Sequence, residues 1–235
     1  MAGFTVTGLN GLTRHPVTGV YFALVKVSGV SGRLLCTYDL ATDQLTQVGN
    51  LGDNFSSITF SPSGQLFGVT GDGASVPATL YDIDPTNASK TLLTALGNGA
   101  DGEVICYNPD DNLLYHWSGN GTVVFESVLP TAPYTITPIF TGSAGGEVFG
   151  AAYIGAGKFI TSHIDSRFRK VTTTGTWDGP YGNNPDDLRG LAFTDALGTT
   201  VTCYRDADND NYGDPTDSRT FCAACGTGYV GDDTD

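Results

Sequence analysis

Short apolar runs separated by turn residues recur along most of the chain. In Ile58-Thr-Phe-Ser-Pro-Ser-Gly-Gln-Leu-Phe67, two apolar stretches flank a Pro-Ser-Gly turn. Similar pairs of stretches begin at Leu12, Ile105 and Ala151. Alternating apolar positions bounded by Gly, Pro, Asn and Asp are typical of antiparallel β-strands. The pattern therefore predicts an all-β fold made of hairpins.

Further apolar runs come after each hairpin. The second half of each repeat contains runs at residues 34–40 and 45–48, 79–83 and 91–94, 123–128, and 168–171. Asp, Pro and Asn separate neighbouring runs and favour tight turns. We therefore expect four strands in each repeat.

The repeats have a regular period. Leu12, Ile58, Ile105 and Ala151 mark equivalent positions, and the steps between them are 46, 47 and 46 residues. A partial fifth repeat, Leu191-Ala-Phe193, begins after 40 residues. Periods of about 40–50 residues are typical of propeller blades, in which four-stranded sheets stack radially. Residues 1–200 are thus predicted to form a β-propeller of four to five blades. Pairing of Phe4-Thr-Val-Thr7 with the partial repeat at 188–200 would close a five-bladed ring, which is the favoured interpretation, and removal of upstream blades is the alternative.

Two sequence segments resemble those of a known protein family. Leu80-Tyr-Asp-Ile-Asp-Pro85 and Ser57-Ile-Thr-Phe-Ser-Pro-Ser-Gly-Gln-Leu-Phe-Gly68 resemble the blades of bacterial secreted β-propellers. The resemblance extends over roughly residues 4–195. It implies the fold, because propeller blades serve many unrelated functions.

Composition narrows the classes of function. The 11 basic and 25 acidic residues give a net charge of −14, and 40% of the residues are hydrophobic. Such a charge disfavours a nucleic-acid partner, whose phosphates require basic side chains. No apolar run approaches the roughly 20 residues of a membrane helix. We expect neither nucleic-acid binding nor membrane insertion.

The acidic residues concentrate at the end of the chain. Beyond residue 200, eight acids and two bases carry −6 of the total charge. When Asp206 is position 1 of a calcium loop, oxygen ligands fall at the positions expected for Ca²⁺. The predicted ligands are Asp206, Asp208, Asp210, Tyr212 through its carbonyl, Asp214 and Asp217. Residues 201–235 are therefore predicted to form a short irregular calcium-binding tail, although a solvated acidic linker is the alternative.

The loop departs from the usual pattern at two positions. Asn211 stands where Gly is usual, and Asp217 stands where a longer Glu would bind the ion with both oxygens. No flanking helices are predicted. The run Tyr204-Arg-Asp-Ala-Asp-Asn-Asp-Asn-Tyr-Gly-Asp214 resembles thrombospondin type 3 calcium repeats and a metal-binding motif of bacterial secreted proteins. The resemblance continues through Gly228-Tyr-Val230 and Asp233-Thr-Asp235 and implies calcium as the ligand.

The five cysteines fall into two groups. Cys36 and Cys106 lie within strand patterns, where a free thiol is usually a small buried apolar group. Cys203 is expected to form a disulfide with Cys222 or Cys225, and the sequence leaves the pairing open. The Cys-Ala-Ala-Cys spacing also fits a zinc knuckle, but no second ligand pair accompanies it.

Candidate catalytic groups are few. Glu103 and Glu147 precede the first strands of adjacent repeats, and paired carboxylates are required for glycoside hydrolysis. The histidines His15, His116 and His163 occur near second strands at positions that are not equivalent. Repetition alone also explains the spacing of the two glutamates, and isolated histidines on strand faces are usually structural or exposed.

Aromatic residues suggest a binding face instead. Rings of this kind stack on sugars, and segment 177–187 is predicted to be a long recognition loop. The aromatic candidates are Trp117, Tyr153, Trp177 and Tyr181.

These patterns favour a secreted, non-catalytic propeller at the cell surface or outside the cell. It would bind a protein or glycan, and calcium would stabilise the appended module. An extracellular hydrolase or lyase that uses the propeller funnel is the second interpretation, and a self-assembling surface or filament component is the third. We interpret both ends of the chain as positions where a longer protein was cut.

Overall fold

The computed structural model describes residues 5–97, 102–119, 124–141, 146–183, 188–192, 200–208, 210, 212–222 and 229–231. No helix occurs in these ranges, and they contain nineteen strands in five antiparallel sheets. The chain divides into two compact units, Met1–Ala192 and Phe193–Asp235. The division predicted at residue 200 stays a prediction.

Four sheets of four strands make up the first unit, and the strands of each sheet are arranged in chain order. Blade 1 contains β1 (Val6–Arg14), β2 (Tyr21–Val27), β3 (Leu34–Asp39) and β4 (Gln44–Asn50). Blade 2 contains β5 (Phe55–Phe60), β6 (Leu66–Thr70), β7 (Thr79–Ile83) and β8 (Lys90–Ala95). Blade 3 contains β9 (Val104–Asn108), β10 (Leu113–Ser118), β11 (Val124–Val128) and β12 (Ile136–Thr141). Blade 4 contains β13 (Val148–Gly155), β14 (Lys158–His163), β15 (Phe168–Thr172) and β16 (Trp177–Tyr181).

The first strand of each blade contacts the first strand of the next, so β1, β5, β9 and β13 form an inner row. Side-chain hydroxyls connect neighbouring members of this row. Phe60 N–H donates to Thr13 Oγ1 at 3.3 Å, and Tyr107 N–H donates to Thr59 Oγ1 at 3.1 Å. These bonds hold adjacent blades in a defined register.

Apolar side chains fill the space between successive blades. Phe22 and Leu24 of blade 1 pack with Phe55 and Ile58 of blade 2. A second cluster joins blades 2 and 3, and a third joins blades 3 and 4. Stacking therefore buries the faces that a single four-stranded sheet would leave exposed.

Val6 and Thr7 lie in β1, where Val6 pairs with Val27. The predicted closure also involves Phe4 and residues 193–199, which lie outside the described residues, so it stays a prediction. One prediction about the propeller unit is wrong. Segment 177–187 is not a loop throughout, because Trp177–Tyr181 forms β16 and Lys170 pairs with Asp178. The outermost strand contains Pro180 and many exposed residues, so its sequence lacks the apolar alternation of inner strands.

The second unit contains a three-stranded sheet and is more regular than the sequence suggested. Its strands are β17 (Thr200–Arg205), β18 (Asp214–Cys222) and β19 (Tyr229–Val230), with β17 in the centre. The acidic run connects β17 to β18. The second unit thus presents its carboxylates on a connection between two paired strands.

Candidate functional site

The predicted calcium loop begins directly after β17. Asp206, Asp208 and Asp210 each offer one carboxylate oxygen, and these three oxygens lie within 4.8 Å of one another. Calcium binds oxygens at 2.3–2.6 Å, so two ligands of one ion are at most about 5 Å apart. Hard carboxylate oxygens are also the donors that Ca²⁺ prefers. The first three predicted ligands therefore fit a calcium ion.

A close backbone approach sets the end of this loop. A Cβ atom on Gly213 would lie 2.4 Å from Tyr204 Cβ, so only glycine fits where the loop returns past β17. Within the loop, Tyr212 N–H donates to Asp210 Oδ1 at 2.9 Å. The loop therefore turns back toward β17, and the carboxylates of Asp206, Asp208 and Asp210 lie close together.

The later predicted ligands have other contacts. Asp214 Oδ1 accepts bonds from the backbone N–H and hydroxyl of Thr216 at 2.7 and 2.6 Å, and these bonds lower the pKa of Asp214. An oxygen of Asp217 lies 3.5 Å from Arg205 Nη1. Neither belongs to the described group of three carboxylates. The places of Tyr212, Asp214 and Asp217 in the metal site stay predictions.

A buried polar network occupies blade 3. Glu103 precedes β9, His116 lies on β10 and Glu126 lies on β11, and all three side chains are fully buried. His116 Nε2 lies 2.5 Å from Glu103 Oε2, and His116 Nδ1 lies 2.9 Å from Glu126 Oε1. Ser118 Oγ donates to the other Glu103 oxygen at 2.9 Å. The network therefore connects the three inner strands of the blade.

Burial by itself lowers the pKa of His116, but bonds and charges from Glu103 and Glu126 outweigh it and raise the pKa to about 9. A protonated imidazole between two carboxylates satisfies both ring nitrogens. Glu103, His116 and Glu126 are fully buried, so the contacts of the network are made within the blade and join its strands.

Sequence reasoning noticed Glu103 and His116 separately but missed Glu126. The available signal was a Glu in the centre of the apolar run Val-Val-Phe-Glu-Ser-Val128. Glu126 is the register partner of His116, so a correct strand alignment would have brought the two together.

Glu147 is also buried, with 5% of its surface exposed. A Cβ on Gly102 would lie 2.0 Å from Glu147 Oε1, so this carboxylate packs against the residue before Glu103. The two candidate catalytic carboxylates thus occupy the packed region between blades 3 and 4.

The three histidines have separate environments. His15 Nδ1 accepts backbone N–H bonds from Val17 and Thr18 at 3.1 and 3.2 Å, which forms a turn. His163 lies 2.8 Å from Thr161 Oγ1, and burial followed by the charge of Arg169 lowers its pKa to about 4. Each histidine has a local structural role.

The four aromatic candidates differ in burial and in their contacts. Trp117 is fully buried and stacks on Phe125 with ring centroids 4.7 Å apart. Tyr153 bonds to Asp110, and Trp177 packs edge-on against His163. Tyr181 is 38% exposed. Most of the expected stacking face is therefore used in packing between strands and blades.

The cysteine predictions are confirmed for the propeller unit. Cys36 and Cys106 are both free and buried. Burial raises the pKa of Cys36 to about 11 and that of Cys106 to about 12, which makes both thiols poor nucleophiles. Cys203 is fully buried in β17. The disulfide predicted for it involves side chains outside the described residues and stays a prediction.

No family model matches the chain, and no curated protein matches it. Solved structures do match. TolB from Acinetobacter baumannii is 14% identical with a TM-score of 0.53, and the match covers 75% of this chain and 45% of TolB. An auxiliary nutrient binding protein from Bacteroides thetaiotaomicron is 12% identical with a TM-score of 0.55, covering 82% and 56%.

A third match is a putative oxidoreductase (glucose dehydrogenase) from Thermus thermophilus. It is 14% identical with a TM-score of 0.57, and the match covers 91% of this chain and 82% of the other. The chain spans about half the length of the first three solved structures it matches. At these identities the likeness concerns the fold, and together with the four radial sheets it identifies a β-propeller of four to five blades.

No helix in the described ranges has the length and apolar character needed to cross a membrane.

Proposed function

We propose that the chain is a non-catalytic binding propeller followed by a calcium-stabilised module. The observation that carries the calcium part is the approach of three carboxylate oxygens, from Asp206, Asp208 and Asp210, to within 4.8 Å of one another. Three like charges at this separation repel one another unless a cation neutralises them. Calcium would therefore order the connection between β17 and β18.

A module of this kind suits the extracellular space or the cell surface. Asp208 and Asp210 are exposed and Asp206 is half-buried, so several ligands of the ion would be solvent molecules or flexible groups. Open sites of this type bind Ca²⁺ with dissociation constants on the order of 10⁻⁴–10⁻³ M, which matches extracellular modules. We infer that the ion is structural.

The non-catalytic assignment rests on the carboxylates of blades 3 and 4. Glu103 is bonded to His116 and Ser118, and Glu147 packs against Gly102. An acid or base must reach substrate within hydrogen-bond distance, but Glu103 is fully buried and only 5% of Glu147 is exposed. Binding of a protein or glycan by the propeller is the function that this arrangement supports best.

Calorimetry with the full chain tests the calcium site. After removal of metal by a chelator, Ca²⁺ should bind the wild type and raise its melting temperature. The double variant Asp206→Asn/Asp208→Asn should lose both responses, because two charged ligands become neutral amides.

The matched control for that experiment is Asp72→Asn, which removes an exposed acid of the propeller unit. The control should bind Ca²⁺ like the wild type. Equal binding by the double variant would reject the assigned loop, and a larger response to Zn²⁺ than to Ca²⁺ would assign the site to another metal.

A second experiment tests the binding function. The wild type, Glu103→Gln and Glu147→Gln are assayed for turnover and for retention on a glycan array. Retention without turnover supports the proposal. Turnover that disappears in either variant would replace it with the hydrolase or lyase interpretation.

A further inference from the structure

The tripeptide Asp-Pro-Thr occurs twice in the chain, and both copies form the same turn. In the first copy, Asp84 Oδ1 accepts bonds from the backbone N–H and the hydroxyl of Thr86 at 2.8 and 2.7 Å. In the second copy, the same two groups of Thr216 donate to Asp214 Oδ1 at 2.7 and 2.6 Å. These bonds reach across the proline, so each carboxylate is fixed alongside its own peptide bond to proline.

The residue that follows each copy decides the environment of the second carboxylate oxygen. Asn87 Nδ2 donates to Asp84 Oδ2 at 2.8 Å, so both oxygens of Asp84 are bonded. The corresponding residue of the second copy is Asp217, and an ionised carboxylate has no hydrogen to donate. An oxygen of Asp217 instead lies 3.5 Å from Arg205 Nη1. Within the described residues, both bonds to Asp214 go to Oδ1, which leaves Oδ2 available as a nucleophile.

The two aspartyl-prolyl bonds also differ in their access to water. Asp214 and Pro215 are exposed, whereas Asp84 and Pro85 are half-buried. Hydrolysis requires water at the bond and a proton for the leaving nitrogen. Both are therefore supplied more readily at the second copy.

We propose that the bond between Asp214 and Pro215 is a self-cleavage site in mildly acidic solution. Aspartate carboxylates act as nucleophiles that form covalent intermediates, and a fixed orientation beside the target atom accelerates such attack. Oδ2 of Asp214 attacks the carbonyl carbon of the same residue and forms a five-membered cyclic anhydride. The C–N bond breaks, and the nitrogen of Pro215 leaves as an amine with a proton taken from the solvent.

Water then opens the anhydride and produces two carboxyl groups on Asp214, one in the side chain and one at the new chain end. The net reaction consumes one water molecule, and nothing is oxidised or reduced. This inference concerns a covalent modification and does not depend on metal binding by the acidic loop.

The position of the cut determines its consequence. Asp214 is the first residue of β18, and the register pairs from Thr200 with Cys222 to Tyr204 with Ser218 all lie beyond the cut. Cleavage would therefore open the acidic connection between β17 and β18 and leave most of their pairing in place.

Mass spectrometry of the full chain tests the proposal. The protein is kept with a chelator in mildly acidic buffer, its fold is checked by circular dichroism, and fragments are measured after reduction. The bond after Asp214 should break about tenfold faster than the bond after Asp84. In urea the two bonds should break at similar rates, because the reacting tripeptides are identical.

Reciprocal variants test the part played by the fourth residue. Asn87→Asp removes the donor to Asp84 Oδ2 and should accelerate cleavage after Asp84. Asp217→Asn supplies a donor to Asp214 Oδ2 and should slow cleavage after Asp214. Both substituted positions lie in turns or at a strand end with exposed or half-buried side chains, so both variants should fold.

Asp214→Glu is the chemical control. The longer side chain would have to close a six-membered ring, so cleavage should fall about tenfold or more. Cleavage that persists in this variant would assign the cut to a contaminating protease and overturn the inference. Equal rates at the two bonds of the folded chain, an intact bond after Asp214, or an unchanged rate in Asp217→Asn would also overturn it. Because the chelator is present throughout, each of these results is independent of whether the proposed calcium site exists.

Discussion

His116 Nδ1 lies 2.9 Å from Glu126 Oε1, and the two residues are directly paired across β10 and β11. Neither side chain has any exposed surface. Charged groups are rarely buried without partners, since transfer from water costs several kcal/mol for each ion. The pair, completed by Glu103, therefore makes blade 3 depend on a small set of matched polar contacts.

Replacement of His116 by leucine should destabilise the propeller unit. The change leaves Glu103 and Glu126 buried without the cation between them, and loss of one member of a buried ion pair costs about 3–5 kcal/mol. Urea unfolding at neutral pH measures the loss. His15→Gln is the control, because that turn histidine is only half-buried, and its cost should stay below about 1 kcal/mol. Equal losses in both variants would contradict the role assigned to the network.

Stability should fall as the pH rises from about 6.5 to about 9. The His116 pKa is about 9 in the folded protein and about 6.5 in the unfolded chain, so folding favours the protonated form. The contribution is complete below pH 6.5 and is lost as pH passes through 9, with an upper size of about 3 kcal/mol. Urea unfolding across this range measures it. His116→Gln should flatten the dependence, and an unchanged slope in that variant would assign the titration to other groups.

Gly190→Ala should destabilise the propeller unit more than an ordinary glycine substitution. Gly190 has φ +104°, and an added Cβ would lie 2.5 Å from Leu12 N, so both backbone strain and a clash with β1 are expected. Gly29→Ala is the matched control, with φ +76° and no atom within 4 Å of the added Cβ. The control should cost about 1–2 kcal/mol from the left-handed backbone alone. Thermal unfolding compares the two, and equal costs would show that residues 188–192 do not pack against β1.

The inner strands of each blade were predictable because their residues are apolar and their turns carry Pro, Gly or Asn. Residues 79–83 match β7 fully, and residues 168–171 fall within β15. The outer strands were harder to detect. β12 and β16 contain proline and lie at the edge of their sheets, where few side chains are buried, so their sequences resemble those of loops.

The candidate sites also differ in how far the sequence alone predicts them. Asp206, Asp208 and Asp210 are neighbours in sequence, and alternate spacing along one short connection was enough to predict that their oxygens meet. Glu103, His116 and Glu126 are brought together by strand pairing across three strands. The hollow of about 700 Å³ on blade 1 depends on still more of the structure, since its walls come from all four strands of that blade and from residues 188–190.

The sequence by itself determined the strand repeats, their period near 46 residues and the acidic connection, since each depends on residues close together along the chain. Only the tertiary structure decided that Glu103 is a buried partner of His116, and that residues 188–192 lie between β13 and β1. Local patterns report which residues can be buried, while long-range pairing and packing decide which neighbours they meet. For that reason the fold class and the approach of Asp206, Asp208 and Asp210 could be predicted, and the network of Glu103, His116 and Glu126 could not.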